Sequence, residues 1–326
     1  MKIIFWGTPE YSVNSLRLLI AKNYNIVAVI TQPDKKRSRG KNLIPSPIKQ
    51  FANKHNVPVF TPERIKDNYN FIEKLKSFES DIFIVIAYGK ILSREILDIP
   101  KYGCWNAHAS LLPRWRGAAP IQWALLKGDK YTGVGIMKME EGLDTGDILI
   151  QEKIKIKEKD NLYTLSQTLS IISSELIYKA LQIIKDNPRN IKSKLSPQNI
   201  NNEGIKYARM INKEDYKLIF NYSAIEIERK VKALFPRTFI IHKNKNIKIL
   251  KIRLLKEDEI NEINNKFGNI NFYQDSEVIK IYKNEGIVIS TKTEPIVILE
   301  IKVEGKNITN KNQLIQQLNL QSGDKI

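Results

Sequence analysis

The sequence predicts an α/β domain with a Rossmann-like, mainly parallel sheet, followed by a smaller β-barrel of the OB-like kind. Three observations predict this. The chain has 326 residues, enough for two domains at roughly 150 residues each. In its first part, short apolar runs alternate with stretches of helical period, the pattern of βαβ units with right-handed crossovers. Past residue 206, β-like runs recur between Gly, Asn and Pro, the spacing of a small barrel. The expected bounds are 1–189 for the first domain, 190–206 for a linker and 207–326 for the second domain.

Residues 2–6 (KIIFW) form an apolar run stopped by Gly7-Thr8-Pro9, and a helical pattern follows through Leu16, Leu19 and Ile20. Residues 25–31 (NIVAVIT) read as a second strand, ended by Gln32-Pro33-Asp34. Residues 80–87 (SDIFIVIA) are apolar almost throughout, as in a strand buried on both faces of a parallel sheet. Further strands are expected at 103–107 and 133–139. From 160 to 185, Leu162, Leu165, Leu169, Ile172, Leu176 and Ile183 step by helical intervals, and Asn187-Pro188 stops the helix. The stretch 188–206 is polar, with two prolines and a run of Asn, hence the linker. Ser223 is placed to cap a helix to about Leu234. The runs IKILKI, EVIKIY, GIVIST and IVILEIKV then supply the strands of the second domain.

Composition excludes several classes. A hydrophobic share of 42% fits a soluble globular chain. One cysteine rules out a disulfide framework and fits the reducing cytoplasm. No apolar run approaches the roughly 18 residues of a membrane span, and the N-terminus reads as a strand rather than a leader. With three histidines and no Cys or His cluster, no metal is expected. The net charge of +18 invites a polyanion partner. Its alternative is compositional drift, since the chain is rich in Lys, Ile and Asn. The excess is clustered, however. Residues 207–254 hold 12 basic and 4 acidic side chains against 9 and 11 in 255–326. Lys35, Lys36, Arg37, Arg39 and Lys41 put five charges into seven positions. No feature suggests an obligate dimer face, so a monomer is expected.

The loop after the first strand, Gly7-Thr8-Pro9-Glu10, lacks both the dinucleotide and the triphosphate glycine signatures. Chemistry is sought instead in the stretch from Gly103 to Pro120, which opens Gly103-Cys104-Trp105-Asn106-Ala107-His108, and in Glu140-Glu141-Gly142-Leu143-Asp144-Thr145-Gly146-Asp147-Ile148. In an extended strand Asn106 and His108 share a face. An amide donor beside an imidazole suits a reacting carbonyl, the one for its developing oxyanion and the other for a proton. The alternative is a structural pair that satisfies backbone groups. Asp144, in a glycine-bounded loop, would orient or charge-stabilise His108; its alternative is an Asx-type turn. Cys104 reads as core, and His55 and His242 as exposed.

With these segments in view, the sequence resembles the methionyl-tRNA formyltransferase family over nearly its whole length. The resemblance rests on Asn106 to Pro113 (N-A-H-A-S-L-L-P) followed by R-W-R-G-A-A-P-I-Q. It extends to Thr31-Gln32-Pro33-Asp34 through Lys41, Pro45 to Lys49, Ala87 to Leu92, and Gly142 to Ile148. It implies transfer of a formyl group from 10-formyltetrahydrofolate to the amino group of methionine on initiator tRNA. Carried over by position, it makes Asn106, His108 and Asp144 the catalytic triad. It puts Ser110, Leu111, Leu112 and Pro113 against the folate. Tyr88, Gly89, Lys90, Ile91, Leu92, Gly142 and Leu143 would line the pteridine pocket, largely through backbone groups. Arg39 becomes the arginine that engages the tRNA acceptor end, with Lys35, Lys36, Arg37 and Lys41 as phosphate neutralisers. Where the family has an Asn-Pro-Trp-Pro-Gly-like run, this chain has Leu234-Phe235-Pro236-Arg237-Thr238-Phe239, and Trp105 and Ala107 are less usual neighbours of Asn106.

Other readings remain within reach of the sequence. A glycinamide ribonucleotide acceptor would need a phosphate cradle that Gly7-Thr8-Pro9 lacks, and a basic second domain favours tRNA over an amino-sugar nucleotide. A formyl-folate hydrolase would share the triad but end in a small regulatory domain. A non-catalytic RNA-binding protein would have no need of Asn106, His108 and Asp144.

Overall fold

Strand β1 (Lys2–Gly7) is apolar because it is covered on both faces: Ile3, Ile4, Phe5 and Trp6 are fully buried. The computed structural model describes residues 1–36, 43–198, 204–267 and 276–326. Helix α1 (Glu10–Ala21) follows β1 and leads to β2 (Asn25–Ile30), parallel to it. The hairpin strands β3 (Lys35–Lys36) and β4 (Leu43–Ile44), helix α2 (Pro47–Lys54), β5 (Val59–Phe60) and α3 (Tyr69–Ser77) come next. Then follow β6 (Ile82–Ile86), α4 (Arg94–Leu97), β7 (Cys104–His108), β8 (Arg114–Gly117) and α5 (Pro120–Leu126). The antiparallel pair β9 (Tyr131–Lys138) and β10 (Ile148–Lys155) precedes the long helix α6 (Leu162–Asp186). The seven-stranded sheet has the order β10-β9-β7-β6-β1-β2-β5. It is parallel from β5 to β7 and antiparallel at β9 and β10, which is the mainly parallel sheet expected.

On one face of this sheet Trp6 packs edge-on against Tyr88 and Phe71, with ring centroids 5.1 and 6.2 Å apart. The stripe of α6 runs through Leu165, Leu169, Ile172, Leu176 and Ile177 to Ala180, Leu181 and Ile184. Leu162 and Ile183, which the sequence spacing also puts on it, are only half-buried. Over 25 residues a helix of 3.6 residues per turn drifts off any fixed spacing, so the buried line moves to Ile184.

The stretch expected as a linker does more than span. Ser196 exchanges two backbone hydrogen bonds with Ile148, of 2.8 and 2.9 Å. Strand β11 (Lys206–Ala208) then pairs with β8. The structure groups Met1–Ile121, Lys130–Ile156 and Thr164–Arg209 as one unit, and Gln122–Asp129, Lys157–Tyr163 and Met210–Ile326 as the other.

In the second unit α7 (Ala224–Ala233) starts at a complete capping box: the Ser223 Oγ accepts from Glu226 N, and the Glu226 carboxylate accepts from Ser223 N at 3.0 Å. The helix buries Ala224, Ile227 and Val231. Ser223→Ala is expected to cost about 1 kcal/mol. Urea unfolding of the full chain checks this; an unchanged midpoint for the second unit would mean the cap contributes nothing.

Strands β12 (Phe239–His242) and β13 (Lys245–Leu254), helix α8 (Glu257–Phe267), β14 (Val278–Tyr282), β15 (Gly286–Ile289), β16 (Ile296–Val303), β17 (Ile308–Asn310) and α9 (Lys311–Leu318) complete the unit. The sheet is antiparallel, in the order β12-β13-β16-β15-β14. β15 and β17 take successive stretches of β16, pairing at Ile296–Ile298 and Glu300–Lys302. Among the described residues the ladder is thus branched. In β13, register shifts around Lys251 let Ile247, Ile249 and Ile252 share one core despite their uneven spacing.

Candidate active site

Alternation along β7 puts Cys104, Asn106 and His108 on one face. Cys104 is core: its Sγ donates to the Leu97 carbonyl at 3.7 Å, and burial pushes the thiol well above its usual range, so it is inert. Asn106 is half-buried, and its Oδ1 is sealed from solvent without a partner. His108 is buried, its side chain 7% exposed.

Two oxygens bracket the imidazole. Nε2 lies 2.9 Å from the Trp115 carbonyl; a carbonyl only accepts, so Nε2 carries the hydrogen. Nδ1 faces Asp144 Oδ2 at 3.5 Å. The same carboxylate oxygen accepts the Gly117 N–H at 2.7 Å. The Gly117 N–H thus holds the very oxygen that faces the ring, and only one short shift separates it from a hydrogen bond to the histidine.

Asp144 reaches His108 by an indirect route. Because β9 is antiparallel to β7, the loop 139–147 starts beside Cys104, where Met139 N–H donates to the Cys104 carbonyl at 2.8 Å. It then runs back along β7. Ligand sites of parallel sheets are expected beyond the carboxyl ends of the strands; here one of three grouped side chains comes from a loop at the other end. Asp144 has φ 52, a left-handed conformation that Asp tolerates better than most residues. Thr145 Oγ1 donates to Glu140 at 2.6 Å, and Gln198 Nε2 to the carbonyls of Asp144 and Gly146 at 2.8 Å each. A Cβ at Gly146 would collide with the Lys138 carbonyl, so the loop needs glycine there.

The turn after β7 presents the Trp115 carbonyl. Ser110 is fully buried and its hydroxyl donates to the Arg114 carbonyl at 2.6 Å. Leu112 is buried, while Leu111 and Pro113 are half-buried. The Ser110 hydroxyl hydrogen is therefore spent on shaping the turn. Gly117, at φ 116, lies so close to β11 that a Cβ would come 2.8 Å from the Ala208 carbonyl.

In the loop after β6, the Tyr88 ring and Leu92 are buried in the Trp6 core. The Tyr88 carbonyl accepts from Thr8 Oγ1 and Gln32 Nε2, both at 3.1 Å. Gly89 turns the chain at φ 84. Lys90 Nζ donates to the carbonyls of Pro62 and Glu63. Gly142 is exposed, and Ile91 and Leu143 are apolar side chains left 74% and 50% exposed. Of the pocket residues expected from sequence, Ile91 and Leu143 are thus the ones with side chains available to a ligand, whereas Tyr88, Lys90 and Leu92 are engaged within the protein.

Lys35 is exposed at the head of the β3–β4 hairpin, whose base holds an Asp34–Lys49 ion pair of 2.7 Å. Lys36 ends β3. Arg37, Arg39 and Lys41 lie outside the described residues. His55 is exposed against Phe51, but His242 is half-buried, and burial beside Lys243 lowers its pKa. The exposed position expected for His242 fails because β12 pairs it with β13 at the edge of the second core. Sequence reasoning missed the Trp115 carbonyl, the Gly117 N–H, Arg116 and Gln198. Arg116 and Gly117 stood in a motif already singled out; Gln198 had no signal, being one polar residue in a polar stretch. Among the described residues no group of three His, Cys, Asp or Glu gathers as metal ligands, and no helix is long and apolar enough to cross a membrane.

Residues 1–181 match a family model described as formyl transferase, and residues 210–319 one described as the formyl transferase C-terminal domain. A methionyl-tRNA formyltransferase of Prochlorococcus marinus strain MIT 9312 is 57% identical over 326 residues, covering 99% of each chain. The chain belongs to the methionyl-tRNA formyltransferase family. A second family member, from strain MIT 9215, is 58% identical over the same span and coverage. Among solved structures, an N-formyltransferase from Helicobacter canadensis in complex with folinic acid and dTDP-3-aminofucose superposes with a TM-score of 0.62. It covers 91% of this chain and 98% of its own at 21% identity, a likeness of fold. Like other methionyl-tRNA formyltransferases the chain is an enzyme, with an N-terminal formyl transferase domain of mainly parallel sheet and an antiparallel C-terminal domain.

Proposed function

We propose that Asn106, His108 and Asp144 carry the transfer of a formyl group from 10-formyltetrahydrofolate to the α-amino group of methionine on initiator methionyl-tRNA. One observation weighs most. Among the described residues the buried Asn106 Oδ1 has no hydrogen-bond partner. A buried polar atom left unpaired costs roughly 1–3 kcal/mol, which supports a carboxamide kept for a ligand; Oδ1 can only accept, so the donor in the reaction would be the amide nitrogen of the same group.

In this reading the methionyl amine, with a pKa of about 7.7–8.0, attacks the formyl carbon as the free base. Asn106 donates to the oxygen that gains the carbonyl electron pair. The His108–Asp144 pair takes the proton released from the attacking nitrogen and returns one to the folate nitrogen as its bond to the formyl carbon breaks. The Trp115 carbonyl and the Gly117 N–H hold that pair in place. The donor already carries an activated one-carbon unit, so the step involves no redox change. Ile91 and Leu143 offer apolar surface to the flat pteridine, and backbone groups of 89–92 and 142–143 its polar partners.

The second unit supplies a surface for tRNA. Lys245, Lys248 and Lys251 are exposed along β13, and Lys302 sits directly across from Lys248 on β16. Like charges opposite each other destabilise a sheet unless a counter-charge arrives. The protein would work as a cytoplasmic monomer. Incubating it with 10-formyltetrahydrofolate and methionine-charged initiator or elongator tRNA tests the assignment. Formylation of the initiator alone is expected; equal transfer to the elongator, or to a dTDP-amino sugar, overturns it.

The basic stretch 35–41 allows a separate test. Arg39 is expected to make bidentate or stacking contacts that lysine cannot copy, so Arg39→Lys lowers formylation already at low salt. Lys36→Ala mainly weakens tRNA binding as salt rises, and flattens the slope of log K against log[salt] by a little under about one unit. Kinetics and binding at two salt concentrations separate the two. A wild-type Arg39→Lys and an unchanged slope would reduce the cluster to compositional drift.

A further inference from the structure

Gln198 is 5% exposed, and its carboxamide is used at both ends. Oε1 accepts from Arg116 Nε at 3.0 Å and Nη2 at 2.7 Å. Nε2 donates to the carbonyls of Asp144 and Gly146, both at 2.8 Å. The guanidinium can only donate and the carbonyls can only accept, so one orientation of the amide satisfies all four contacts.

These contacts close a ring. Arg116 is the neighbour of Gly117, whose N–H holds the Asp144 carboxylate at 2.7 Å, while Gln198 holds the Asp144 main chain. Asp144 is therefore gripped at both ends by one rigid corner made of β8 and residue 198. Its backbone is left-handed (φ 52), a conformation that costs a non-glycine residue free energy and needs surrounding contacts to hold it. We infer that Gln198 is a positioning residue for formyl transfer, setting the Asp144 carboxylate against His108 Nδ1 through its two donor contacts. The inference rests on the proposed role of Asp144.

Gln198 also solvates the buried Arg116, which is 5% exposed, and that alone would be a structural duty. Gln198→Glu tells the two apart. A carboxylate pairs with Arg116 better than an amide does, but it turns acceptors toward the Asp144 and Gly146 carbonyls and expels the loop. The full-length protein is assayed with 10-formyltetrahydrofolate and charged initiator tRNA, with thermal melts as a check on folding. Gln198→Ala is expected to lower kcat roughly 10- to 100-fold, the scale of a misplaced catalytic group, with KM for tRNA held within about twofold. Gln198→Glu falls at least as far. The double variant Asp144→Asn/Gln198→Ala is no slower than Asp144→Asn by more than about twofold, since both act through one carboxylate.

A Gln198→Glu enzyme with wild-type kcat, or a double variant whose losses multiply, overturns the inference while leaving the role of Asp144 intact. A wild-type rate for Asp144→Asn overturns both. If Gln198→Ala does not fold, Gln198→Glu and its combination with Asp144→Asn give the same comparison.

Discussion

His108→Ala is expected to lower kcat for formyl transfer by roughly 10²- to 10⁴-fold, the range of a lost general acid–base group, and to flatten the acid limb of the pH–rate profile. In the proposed role the loss is expected to fall on rate. The ring spans the gap between the Trp115 carbonyl at 2.9 Å and Asp144 Oδ2 at 3.5 Å. Removing it leaves the carboxylate on the Gly117 N–H and the carbonyl in its turn, so the walls of the site stand while the proton carrier is gone. Affinity for charged tRNA, measured by filter binding, stays within about twofold. An acid limb that survives unchanged in this variant would show that another group handles the proton.

Asn106→Ala lowers kcat by roughly 10²- to 10³-fold, the cost of one oxyanion donor. Here structural damage is small by construction. Asn106 Oδ1 has no partner among the described residues, so truncation removes an unpaired, desolvated oxygen. Stability is therefore expected to hold or rise slightly while turnover collapses, a split that a thermal melt and a single-turnover assay measure together. A rate loss below about threefold would make Asn106 a bystander.

What the sequence made legible follows from the range over which each signal acts. The strands of the first domain are nearly continuous apolar runs, and burial on both faces writes them plainly: Ile82 to Ile86 are all buried. Asn106 and His108 share a strand face, which needs only the period of two. Asp144 was found through its glycine-bounded loop and the family resemblance, but not its approach from the far end of β7, which depends on β9 being antiparallel. Gln198 was illegible, since its partners lie 52 to 82 residues away and a polar run carries no periodicity to mark one member. Helix α8 was missed because only Ile263 among its described side chains is fully buried, too little apolar pattern to separate a helix from a charged loop. The side-chain duties of Ser110 and Lys90, both spent on nearby carbonyls, likewise show only in three dimensions.

The pairing of β11 with β8 decides where this molecule can be divided. A fragment cut at residue 189 would keep Asn106, His108 and Asp144, yet lose the Ser196 bridge to Ile148, the Gln198 amide and the strand beside Gly117. The first unit thus ends not where its last long helix ends but some twenty residues later, at Arg209. The apparent tether belongs to the machinery, and a domain exchange that keeps activity has to carry the stretch from 190 to 208 along with the strands it braces.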